Sequence, residues 1–147
     1  MEYKKALNKA AQLCSESEKC EQDIREKLRA WEVSDRDADK IIAYLEKEKF
    51  IDEGRFTAFF VRDKFRFNKW GKIKIGYALR QKHISQATIT EALQAIDEEE
   101  YSSALQEVLQ SKKRGLKYAN EYDLHNKLTR FAVGRGFEYE AISRIDY

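Results

Sequence analysis

Apolar side chains recur along this chain at helical spacing, and the pattern repeats. Ala6, Leu7, Ala10 and Leu13 share one face of a predicted helix from about residue 3 to residue 15. Ile24, Leu28 and Trp31 do the same for a second helix, and Ala38, Ile41, Ile42 and Leu45 for a third. Ser34, with Asp37 three residues on, is a capping signal for that third helix. Moving 51 residues along, Ile24, Leu28, Val33, Ser34, Ala38, Ile41, Ile42 and Leu45 become Ile75, Leu79, Ile84, Ser85, Ile89, Ala92, Leu93 and Ile96. Apolar matches apolar and the serine cap returns, which is how a structural repeat appears in sequence. A looser third copy follows. Leu124 and Leu128 stand 49 residues after Ile75 and Leu79, whereas Phe137 and Ile142 stand 53 after Ile84 and Ile89. The extra turn lies around residues 130 to 136, where Gly134 and Gly136 are placed to end the lengthened helix.

The expected fold is therefore all-α: three tandem three-helix repeats forming an elongated, curved array. The units are expected at residues 1–51, 52–100 and 101–147, with the last helix short. Such an array offers a long surface in place of one deep pocket. The second unit's first helix is predicted to start at Asp52, whose carboxylate can accept from first-turn amides. At about 100° per residue, Phe56, Phe59, Phe60 and Phe67 fall on one face, with Val61 and Phe65 nearly opposite. The narrow gap between those faces holds Arg55, Arg62 and Arg66, aligned as one ridge. This ridge has two readings: a surface for a partner, or arginines lying over aromatic edges that keep a central helix soluble.

Composition fits a chain of exposed amphipathic helices. Its 147 residues contain no proline and six glycines, and 37% are charged. No apolar run is long enough to span a bilayer, and the start Met1-Glu2-Tyr3-Lys4-Lys5 lacks a secretory core, so no membrane partner and a cytoplasmic location are expected. Cys14 and Cys20 are expected to be reduced and half-buried. The net charge of +2 conceals a segregation. Between residues 55 and 82 lie Arg55, Arg62, Lys64, Arg66, Lys69, Lys72, Lys74, Arg80 and Lys82 against Asp63 alone; residues 83 to 100 then carry only acids. A field so divided steers an acidic partner or a phosphate backbone despite a small overall charge.

Catalysis finds no support. His83 and His125 lack a neighbouring ligand at metal spacing, the run Asp97-Glu98-Glu99-Glu100 lacks the glycine turn of a calcium loop, and no glycine-rich phosphate loop is present. No enzyme, cofactor or metal is expected. The helix beginning at Ser85 carries no Lys or Arg before the acidic run, which argues against duplex reading by a helix-turn-helix. Phe65, Phe67, Trp70 and Tyr77, interleaved with cations, are compatible either with stacking on bases or with helix packing. Lys112 and Lys113 sit in a linker-like part of the third unit.

The segment Leu45-Glu46-Lys47-Glu48-Lys49-Phe50-Ile51-Asp52-Glu53-Gly54-Arg55-Phe56, followed by Phe60-Val61-Arg62, resembles the signature of RecX proteins. The resemblance runs the full chain, through Gly71, Ile75, Leu79 and Ile84 into the weaker third unit. It implies a small, non-enzymatic bacterial regulator, acting as a monomer, that binds the RecA recombinase filament on single-stranded DNA. It further implies modulation, in the inhibitory direction, of strand exchange, ATP hydrolysis and co-protease activity, with DNA contacted mainly through the filament. The alternative is a nucleic-acid-binding helical module acting without RecA. In either case the expected contact residues are Arg55, Arg62, Arg66, Lys69, Lys72, Lys74, Arg80 and Lys82.

Overall fold

A computed structural model describes residues 1–147 and contains nine helices and no strands. They are α1 (Tyr3–Glu16), α2 (Glu21–Ala30), α3 (Asp35–Lys47), α4 (Glu53–Arg66), α5 (Lys72–Gln81), α6 (Gln86–Gln94), α7 (Glu98–Arg114), α8 (Glu121–Gly134) and α9 (Tyr139–Ser143). They form three tandem groups of three. Five of the starts have a local cause: the side chains of Ser34, Asp52, Ser85, Asp97 and Asn120 accept from the amides of Asp37, Arg55, Thr88, Glu100 and Asp123, three residues on. The acids at 98 to 100 form the first turn of α7, and Lys112, Lys113 and Arg114 form its last, the arrangement that complements a helix dipole. Lys112 and Lys113 are thus helical and not linker, and α7 opens ahead of the boundary expected at 101. The extra turn of the third unit is visible as α8, 14 residues long against 10 for α2 and α5.

The helix ends repeat as well as the faces. After α2, α5 and α8 the chain turns through a residue of positive φ, Glu32 (58°), His83 (63°) and Gly136 (95°). In each case the following amide, of Val33, Ile84 or Phe137, donates back to the carbonyl of Leu28, Leu79 or Ala132. This is the Schellman closure, which satisfies the orphan carbonyls of the last turn and places an apolar residue back over the helix. Ser34 and Ser85 then cap the third helix of their units, while the third unit has Glu138 there, making no capping bond.

Helix α4 departs from the two-faced expectation. Phe56, Thr57, Val61 and Phe65 are buried in one broad stripe, with Phe60 half-buried beside them. Phe59 is 41% exposed, and Phe67, beyond the last turn, is 82% exposed. Helices α5 and α6 pack on one side of α4 only. The Arg55, Arg62 and Arg66 ridge therefore lies on the exposed side of α4, with Arg62 and Arg66 bordering the groove toward Ala95, Asp97 and Glu100, and not in a gap between apolar faces. Cys14 is half-buried as expected but Cys20 is buried; both thiols are free, and burial pushes that of Cys20 up to about 11.

The buried side chains form two cores. One is built wholly from residues 6 to 51, around Ile24, Leu28, Ile41 and Leu45. The other joins the second and third groups, from Phe56 to Ile142, and takes a single residue, Cys20, from the first.

Candidate functional site

The basic residues of the central unit lie in three different settings. Arg55 and Lys82 close the seam between the first two groups of helices. The Arg55 guanidinium meets Glu18 at 2.6 Å and donates to the carbonyls of Lys49 at 3.0 Å and Phe50 at 3.3 Å. Lys82 Nζ lies 2.7 Å from Asp23 Oδ1, whose other oxygen accepts from the Cys20 amide. Burial alone would raise the Asp23 pKa, but the Lys82 bond and the Cys20 amide outweigh it and hold the carboxyl below its usual value. Between these ties lies a polar cleft of about 420 Å³, lined by Glu21 and Glu46 on one side and Glu53 and His83 on the other. The neighbouring Glu21 carboxylate raises the Glu46 pKa.

A second set faces the third group of helices. Arg66 Nε is 3.0 Å from Glu100, and Lys69 Nζ is 3.8 Å from Glu107. Lys72 Nζ lies over the Tyr101 ring at 4.8 Å and Lys74 Nζ over the Trp70 ring at 4.6 Å; Lys64 approaches the same indole at 5.2 Å. Trp70 is half-buried between cations, Phe65 is buried, and only Phe67 and Tyr77 (60% exposed) remain bare for stacking. The third set is Arg62 and Arg80, both exposed and neither in an ion pair. Arg62 borders a shallow groove of about 270 Å³ with Ala58, Ala95, Asp97 and Glu100. Of the expected arginine ridge, then, only Arg62 is uncommitted.

The junction of α5 with the third unit was not legible as a contact in the sequence. Gly71, at the start of α5, lies so close to Gly136 that an added Cβ would stand 2.3 Å from the Gly136 carbonyl carbon. The Gly71 and Ile73 amides donate to the carbonyls of Arg135 (2.8 Å) and Gly136 (3.0 Å), and the Lys72 amide donates to the Tyr101 hydroxyl (2.9 Å). Three first-turn donors of α5, which would otherwise need a capping side chain, are thus satisfied by the third unit. Tyr101 in turn donates to Glu138, and burial together with that bond raises its pKa. Its ring continues a line from Phe65 (5.6 Å) to Phe137 (5.3 Å). The isolated glycines 71 and 136 were the one sequence signal of this contact.

No group of three or more His, Cys, Asp or Glu side chains is placed to hold a metal ion, and no helix is long and apolar enough to cross a membrane. The fold is that of two solved structures. A crystal structure of a regulatory protein RecX superposes with a TM-score of 0.88 at 22% identity, covering 97% of this chain and 70% of that one. RecX from Lactobacillus salivarius superposes with a TM-score of 0.85 at 18% identity, covering 96% and 92%. In sequence, the chain is 29% identical to regulatory protein RecX of Clostridium acetobutylicum, over 97% of its own length and 68% of that relative. It is 30% identical to regulatory protein RecX of Clostridium tetani, over 97% and 66%. The chain spans about two thirds of the length of these relatives, which are named as regulatory proteins and not as enzymes. Residues 6–45, 52–93 and 98–145 match, in order, the first, second and third RecX three-helix domains, and with all three present the chain belongs to the RecX family.

Proposed function

We propose that this protein is a non-catalytic regulator that binds the RecA recombinase assembled on single-stranded DNA and inhibits its strand exchange, ATP hydrolysis and co-protease activity. The observation that carries this reading is the presence of all three RecX domains in order along one chain. Tandem helical units with a basic middle suit an extended, charged filament surface, where complementary fields speed association. The protein acts as a monomer in the cytoplasm and meets DNA chiefly through the filament.

Within this reading Arg62 makes the direct contact with an acidic group of the filament or its DNA backbone, supported by Arg80, Lys72 and Lys74. Arg55, Arg66, Lys69 and Lys82 are already engaged with acids of the chain itself. Co-pelleting with RecA filaments and RecA ATP hydrolysis are the measurements. Arg62→Glu should leave the helical circular dichroism intact, weaken inhibition, and flatten its response to salt, whereas Lys5→Glu on the exposed side of α1 should not. Equal inhibition by the folded Arg62→Glu protein would remove Arg62 from the contact. Binding to single-stranded DNA alone as tight as to the filament would favour a module acting without RecA.

A further inference from the structure

A groove of about 530 Å³ lies where α7 ends against α8 and the turn after α4, within the size range of ligand sites. We propose that it binds an acidic peptide segment of a protein partner, one carrying an apolar side chain between its acids. This site stands whether or not the recombinase reading holds. Its rim brings together Lys69, Lys112 and Arg135, and its floor is the half-buried pair Val108 and Phe131. One acid, Glu107, is present; it is 3.8 Å from Lys69 and its side chain is 72% exposed, so the pair is screened and readily exchanged for another carboxylate. The carbonyl end of α7 would repel an anion, but Lys112, Lys113 and Arg114 occupy that same last turn and reverse the local field.

Arg135 is held in place by donating to the carbonyls of Asn68 and Lys69, so little freedom remains for it to lose on binding. Lys112 Nζ lies 4.8 Å and Arg135 Cζ 5.8 Å from the centre of the Phe131 ring. A nucleobase could stack on that ring only by displacing a cation, whereas a carboxylate meets both cations where they already are. An apolar side chain then covers Val108 and the ring edge. Gly115 leaves the rim open, with no atom within 4 Å of where a Cβ would stand, so a peptide backbone can pass.

The test is fluorescence anisotropy of the whole 147-residue chain with a labelled peptide of alternating glutamate and leucine. Lys112→Glu should weaken binding by about tenfold or more. Lys112→Gln, a milder change should the glutamate disturb the helix end, should weaken it less in the same direction. Arg144→Glu, exposed and outside the groove lining, should leave it unchanged. A polyglutamate peptide should bind more weakly than the mixed one, and oligothymidylate should not displace it. The proposal is overturned if the parent binds no peptide, if Lys112→Glu and Arg144→Glu weaken it equally, or if oligothymidylate competes for the groove.

Discussion

The two junctions between the three units are built from different materials. The first and second units meet over a polar cleft crossed by Arg55–Glu18 and Lys82–Asp23, and of the first unit only Cys20 enters the core of the second. The second and third meet backbone to backbone at Gly71 and Gly136, exchange amide and carbonyl bonds, and share one core through Phe65, Tyr101 and Phe137. In a tandem array, stability is roughly the sum of unit terms and nearest-neighbour terms, so unequal junctions divide the chain into unequal blocks. Residues 52–147 should unfold as one block and the first unit as another. Trp31 and Trp70, the two tryptophans, fall one in each block, and in Trp70→Phe and Trp31→Phe backgrounds each reports on its own block.

The largest expected effect comes from Phe137→Ala. The ring is wholly buried against Tyr101, and its loss should cost about 3–5 kcal/mol. Urea titration followed by Trp70 fluorescence should show the loss, while the Trp31 signal should move little; equal movement of both would mean a single cooperative molecule. Gly71→Ala should follow at about 2–3 kcal/mol, because its Cβ meets backbone that cannot rotate away. Gly134→Ala, with nothing within 4 Å, should instead be neutral or stabilising by up to about 1 kcal/mol. A Gly71→Ala protein as stable as the parent would dismiss the close glycine contact as the join.

Smaller effects belong to the first junction. Asp23→Asn leaves Lys82 without its ion pair and should cost about 1 kcal/mol. Because the Asp23 pKa is depressed in the folded protein, its contribution is fully present above about pH 4 and fades as acid protonates the carboxyl. Raising salt from about 0.1 M to about 1 M, which shortens the screening length from about 10 Å to about 3 Å, should lower the Trp31-reported midpoint of the parent and do less to Asp23→Asn. An identical salt response in both would remove this ion pair from the junction. The smallest change is His83→Gly, expected to stabilise by about 0.5–1 kcal/mol because a positive φ suits glycine. A lower melting temperature would show that the imidazole has a role in the cleft.

How much of this was readable beforehand depends on the distance over which each feature is decided. The nine helices, the 51-residue period, the longer α8 and the caps Ser34, Asp52 and Ser85 follow from the sequence alone. A 3.6-residue periodicity and a hydroxyl or carboxylate three residues from an amide are complete within one short stretch. The fate of the arginines was not readable, since Glu18 lies 37 residues from Arg55 and Glu100 lies 34 from Arg66. Nor was the face that Phe59 and Phe67 present, because only the packing of α5 and α6 on one side of α4 decides which aromatic rings are covered. The equivalent turns after α2, α5 and α8 show the division at a single position. Each requires a positive φ, which Glu32, His83 and Gly136 all adopt, and that much is local. That the third must be glycine is tertiary, because at residue 136 the Cβ and backbone nitrogen of Lys74 already occupy the place of a Cβ.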